Sequence, residues 1–204
     1  MLLYTTGCRT PSARYGRGLR EQYTHAVQVD VVCKLDGVWR GGRGSGVIVS
    51  HNLVLTAEHV VECPGDRVVT VAARGGNPRF VTVDRVWAGR DIARLRLREG
   101  TFGFMRPLHV RGVTASLMAT AVTWPFAGLY YGRVLNTHAT VCKPDKPFCH
   151  NFEFSARTVP GNSGGAIYDA EGFLIGIVTG GFFDKLPPSG LGSELAPIAG
   201  EVLQ

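Results

Sequence analysis

Two features of the 204-residue chain predict an all-β fold: 27 glycines, and many short apolar runs separated by turn signals. Apolar residues make up 45% of the sequence, enough to bury a substantial core. No apolar run approaches the roughly 18 residues that a membrane-spanning helix requires. Residues 1–22 carry Arg9, Arg14, Arg17 and Arg20 among Gly, Ser and Pro and read as a basic arm. Met1-Leu2-Leu3-Tyr4 is too short for the apolar region of a signal peptide. Residues 80–86 alternate apolar and polar and read as a strand. Residues 164–180 read as a strand, a turn at Asp169 to Gly172, and a second apolar strand.

Three short motifs carry chemistry: Thr56-Ala57-Glu58-His59-Val60-Val61, Asp91-Ile92-Ala93-Arg94-Leu95, and Gly161-Asn162-Ser163-Gly164-Gly165. A serine hydroxyl is a weak nucleophile at neutral pH, so Ser163 needs a base, and His59 supplies one through a ring nitrogen. A buried Asp91 carboxylate would fix the His59 tautomer and stabilise the imidazolium formed when Ser163 loses its proton. Gly161, lacking a Cβ, can turn tightly and aim its N–H, with that of Ser163, at a developing oxyanion. Asp84 is the nearest rival carboxylate, but it lies inside the alternating 80–86 segment. A Gly-x-Ser-x-Gly pattern also fits the nucleophile elbow of α/β-hydrolases; the strand that follows Ser163, where an elbow needs a helix, argues against it.

The order His59, Asp91, Ser163 resembles that of trypsin-like, chymotrypsin-fold serine peptidases, most closely the compact HtrA-like branch. The resemblance implies two six-stranded antiparallel β-barrels with the active site between them. It places the first barrel at residues 23–111, with His59 and Asp91. The second falls at residues 112–186, with Ser163 and the specificity pocket, and residues 187–204 form a short closing segment packed on the second barrel. Residues 44–50 and 53–56 resemble the paired strands before the family's histidine, and residues 91–95 resemble its Asp-Ile-Ala-Leu-Leu strand. Intervals of 32 residues from His59 to Asp91 and 72 from Asp91 to Ser163 suit a minimal enzyme. The length leaves no room within this chain for the PDZ domain of HtrA proteins. An Ile-Val-Gly-Gly-like terminus is missing before the first barrel, so activity without zymogen cleavage is expected.

In the family, the strand containing Val178, Thr179 and Gly180 forms a wall of the primary specificity pocket. Arg157, six residues before Ser163, falls where trypsins place the charged base of that pocket. Turned inward it would select acidic residues; turned outward it leaves an apolar pocket preferring Val, Ala or Leu, the favoured expectation. Viral relatives that read Gln carry His at the position of Val178, so Gln specificity is not expected. The usual Ala before the catalytic histidine is Glu58 here, an ionisable group beside the triad.

The formal net charge of +6 is unevenly shared, with +8 over residues 1–111 and −2 over residues 112–204. No basic motif is interleaved with aromatics, so arginines scattered on strand faces, and not a nucleic-acid partner, are expected. Five cysteines, an odd number, point away from a complete disulfide framework and toward a reducing, cytoplasmic setting. Extracellular trypsins staple their histidine loop, but Cys63 lies four residues after His59, and the family's bridge is not carried over. Cys142 and Cys149 flank a short loop, where a disulfide and two free thiols both fit. Cys142, Cys149 and His150 lack a further ligand pair, so no metal site is expected. The expected activity is serine endopeptidase action on polypeptides without a cofactor. A binding or assembly protein with an occluded site, and a viral or phage maturation protease, are the alternatives.

Overall fold

A computed structural model describes residues 24–103, 108–115, 117–124, 129–137, 141–142, 149–150, 152–182 and 187–203. The basic arm and Cys8 lie outside them, as does the loop between Cys142 and Cys149. The first barrel is built from β1 (Ala26–Leu35), β2 (Val38–Ile48), β3 (Leu53–Thr56), β4 (Arg67–Ala73), β5 (Arg79–Trp87) and β6 (Ile92–Leu97). They close in the order β1-β2-β3-β6-β5-β4 with antiparallel neighbours. Every second residue of β1 points inward, so Val27, Val29 and Val31 meet Ile48, Val71 and Leu95 in one apolar core.

The second barrel uses β7 (Met118–Val122), β8 (Leu129–Asn136), β11 (Phe152–Phe154), β12 (Ala166–Asp169), β13 (Leu174–Phe182) and β14 (Ser189–Glu194). Its order is β11-β14-β13-β12-β7-β8, and its core holds Phe152, Phe154, Ile167, Ile175 and Val178. A two-stranded ribbon, β9 (Val141–Cys142) with β10 (Cys149–His150), forms a sheet of its own.

The end of the second barrel and the packing of the closing segment differ from expectation. The sixth strand of the second barrel, β14, lies within the segment assigned to a closing element, so the barrel runs to Glu194. Ser189-Gly190-Leu191-Gly192 lacks alternation because its glycines face aromatic rings: a Cβ on Gly192 would lie 2.5 Å from Phe152, and one on Gly190 would overlap Phe154. Ladder partners, not side-chain pattern, make it a strand. The true closing segment, a 3₁₀ turn (Ala196–Ile198) and α2 (Ala199–Val202), also docks differently. Leu195, Ile198 and Val202 enter a third apolar cluster containing residues of both barrels, including Leu55, Ile92, Tyr168 and Leu174. Polar anchors tie it to the first barrel: Trp87 Nε1 donates to Glu201 Oε2 at 3.2 Å, and Arg85 pairs with the same oxygen at 2.5 Å.

The cysteines also depart from expectation. Cys33 of β1 is bonded to Cys63, with Cα atoms 5.8 Å apart. Spacing from His59 could not show this, because the partner is set by register: Cys33 faces Arg67 on β4, which brings the 62–66 turn alongside. Cys142 and Cys149 face each other in the β9–β10 ladder, and Cys149 is disulfide-bonded. The unpaired cysteines that suggested a reducing setting are thus partly paired. Closing a 30-residue loop restricts the unfolded chain. Replacing both Cys33 and Cys63 by Ser is expected to cost roughly 3 to 4 kcal/mol, read by denaturant unfolding.

His25, buried just before β1, has its Nδ1 3.0 Å from the Ile48 carbonyl, which requires the Nδ1–H form. Burial pushes its pKa below the ordinary 6.5. Below that pH the unfolded chain takes up a proton that the folded chain does not, so stability falls as pH drops through about 6.5. His25→Asn, which keeps an N–H donor without titrating, is expected to flatten the Tm profile below about pH 6.5.

Candidate active site

His59 sits on α1 (Glu58–Val61), a single helical turn whose preceding residue, Ala57, offers no side-chain cap. Its first N–H groups are satisfied from elsewhere, as helix starts require. Glu58 N donates to Asp91 O at 3.2 Å and His59 N to Asp91 Oδ1 at 2.9 Å. The second carboxylate oxygen, Oδ2, lies 2.7 Å from His59 Nδ1. One residue therefore caps the turn and orients the ring. A carboxylate only accepts, so Nδ1 carries the proton and Nε2 keeps its lone pair. Asp91 itself is fully buried and adopts φ 51°, ψ 45° after the 3₁₀ turn Ala88–Arg90, a left-handed conformation that Asp tolerates better than most residues. Asp84 is on β5 and bonds Arg94 at 2.6 Å and Arg96 at 3.2 Å. The Arg96 hydrogen bond, with Arg94 beside it, holds Asp84 below the usual carboxylate range.

Ser163 lies on the loop between β11 and β12, whose backbone polar groups are mostly paired. Asn162 N donates to Val159 O at 3.0 Å, Gly165 N to Asn162 O at 3.0 Å, and Gly164 N to Val178 O at 2.7 Å. The carbonyls of Gly161 and Ser163 lie 2.8 Å from Ser45 Oγ and Ser45 N. Among the described residues, the N–H groups of Gly161 and Ser163 are left without an acceptor. Gly161 has φ 93° and Gly164 φ 87°. A Cβ on Gly164 would overlap the Ser45 carbonyl oxygen and the Thr56 hydroxyl and lie 3.0 Å from Ala57 N. That close approach sets the Ser163 loop directly against the strand end leading to His59. The Ser163 hydroxyl enters no hydrogen bond among the described residues.

Around the pocket, Arg157 is exposed, while its neighbour Thr158 is buried and donates to Gly180 O at 2.9 Å. Val178 is 1% exposed and belongs to the Phe152–Phe154 core cluster. Thr179 is buried at a register shift between Val178 and Gly180, and Gly180 is half-buried. Glu58 is half-buried beside His59. Among the described residues no three His, Cys, Asp or Glu side chains are grouped to hold a metal ion.

Sequence reasoning missed the supports of the loop. Asn162, 1% exposed, accepts from Val159 N and donates to Thr123 Oγ1, both at 2.6 Å, so it clamps the 159–162 turn. Ser45 bridges β2 to this loop. The Gly-Ser-Gly triplet at 44–46, small residues opening an apolar strand, was the signal for close backbone approach.

Two closed six-stranded antiparallel barrels sharing a buried seam are the chymotrypsin-like architecture. Residues 44–177 match the trypsin-like peptidase domain, and the chain belongs to that family. Crystal structures of Rv3671c protease share the fold. The active form, from M. tuberculosis, aligns over 98% of this chain and 94% of its own with TM-score 0.71 and 20% identity. The inactive form aligns over 94% of each chain with the same TM-score and identity. No curated protein matches the sequence. No helix among the described residues is long and apolar enough to cross a membrane.

Proposed function

We propose that this chain is a serine endopeptidase working through His59, Asp91 and Ser163. Ser163 Oγ attacks the scissile carbonyl as its proton passes to His59 Nε2. The oxyanion takes the N–H groups of Gly161 and Ser163. Collapse breaks the C–N bond while His59 returns the proton to the leaving amine. His59 then deprotonates a water that attacks the acyl ester, and Ser163 leaves with that proton as the acid product forms. The carrying observation is the pairing of a doubly engaged Asp91 carboxylate on His59 with two N–H donors flanking Asn162 that have no acceptor among the described residues.

The exposed Arg157 and the ring-filled core behind Val178 support an apolar, shallow pocket that takes Val, Ala or Leu before the cut. The Cys33–Cys63 bond supports an oxidising working environment in place of a cytoplasmic one. A second reading, a binding protein without turnover, draws on the Ser163 hydroxyl, which bonds no group among the described residues. Catalytic hydrogen bonds are often long before substrate binds, so this reading is the weaker. A panel of quenched peptides varied at the residue before the cut decides between them. Turnover of the Val, Ala and Leu members that vanishes in Ser163→Ala supports the enzyme, and a folded protein inert on the whole panel supports the binding module.

A further inference from the structure

We propose that Ser45 is the positioning residue for the oxyanion donors, an inference that rests on the serine peptidase reading. Ser45 belongs to the first barrel, on β2, and is fully buried, yet most of its polar contacts are with the second barrel. Its N–H holds the Ser163 carbonyl at 2.8 Å. Its hydroxyl accepts from Trp124 N at 2.8 Å and lies 2.5 Å from Trp124 O and 2.8 Å from Gly161 O, one proton serving the two carbonyls. Its own carbonyl accepts from Thr56 Oγ1 at 2.7 Å, three residues before His59.

The consequence follows from the order of peptide planes. Ser45 grips the Gly161–Asn162 plane through one carbonyl and the Ser163–Gly164 plane through another. The Ser163 N–H belongs to the plane between them. Fixing the Gly161 carbonyl also fixes the torsions that aim the Gly161 N–H, and a glycine at φ 93° has little steric resistance of its own to rotation. Asn162 holds the turn through its side chain but touches neither carbonyl. Without the hydroxyl, the Gly161 carbonyl loses its partner, and the plane it belongs to keeps only the Asn162 N–H to Val159 O bond at its other edge. The same residue ties that loop, through Thr56, to the strand that leads to His59, so nucleophile, base and oxyanion donors share one reference point.

The test compares Ser45→Ala, with Ser45→Cys as a volume-keeping second variant should the first not fold, against the wild type. Three quantities are read on the best peptide substrate: kcat, KM, and the affinity of that peptide's boronic acid analogue, whose tetrahedral adduct places an oxygen in the hole. Misplaced donors are expected to lower kcat by about 10²-fold and weaken the boronate in proportion, with KM within about threefold. A residue that merely braces the fold would lower Tm while leaving kcat and boronate affinity at wild-type levels, and that result overturns the proposal alone. A wild type that turns over no peptide overturns it together with the enzymatic reading.

Discussion

Asp91→Asn is expected to lower kcat by roughly 10⁴-fold while leaving the fold intact, a magnitude set by what a wrong histidine tautomer costs in this kind of triad. The geometry leaves the amide no good arrangement. Asp91 accepts twice, from the His59 backbone N–H at 2.9 Å and from Nδ1 at 2.7 Å. An asparagine has one acceptor oxygen. If that oxygen keeps the backbone N–H, the amide NH₂ faces Nδ1 and drives the proton to Nε2, which then cannot take the proton of Ser163. If the amide flips, the ring is served and the start of α1 loses its cap. The first arrangement keeps a buried donor paired and is favoured. Steady-state kinetics at saturating peptide, with Tm as a folding control, measures the loss. Activity within tenfold of wild type would remove Asp91 from the mechanism.

Gly164→Ala should strongly destabilise the fold. The backbone there sits at φ 87°, where an L side chain is strained, and the new Cβ would occupy space held by the Ser45 carbonyl and the Thr56 hydroxyl. Strain of about 1 to 2 kcal/mol and overpacking of about 1 to 3 kcal/mol together approach 3 kcal/mol or more. For a domain of this size that lowers Tm by about 6 to 12 °C. Because the crowded atoms belong to Ser45 and Thr56, relief requires the 161–165 loop to lift off the first barrel, so turnover should vanish even below the transition. A variant with wild-type Tm and activity would show that the two segments are not in contact.

What was legible in the sequence was whatever local pattern encodes. β5 runs within a residue of the alternating 80–86 segment at each end, and β6, placed by resemblance at 91–95, extends to Leu97. The β12–β13 hairpin announces itself by a turn at Asp169 to Gly172 between apolar runs, and Gly172 N donates to Asp169 O at 3.1 Å. The three chemical motifs were legible for a similar reason, since each couples a reactive residue to the glycines or small residues its neighbours demand. Features written in tertiary register were not. β14 carries glycines because Phe152 and Phe154 sit opposite them on the neighbouring strand β11. Cys63 finds Cys33 because β1 and β4 align Cys33 with Arg67. Ser45 is one serine among several until the second barrel closes against it. Val178, placed on the pocket wall by resemblance, turns its side chain into the barrel core, which the strand's continuous apolar run could not reveal.

Ser163 is proposed to be a nucleophile activated by His59 and facing the N–H groups of Gly161 and Ser163, and fluorophosphonate labelling read by intact mass tests this most directly. One adduct per folded chain, mapped to Ser163 by peptide mass and absent from Ser163→Ala, is the predicted result. A folded wild type that takes up no adduct, or takes one elsewhere, would contradict the account and leave the double barrel as a binding scaffold.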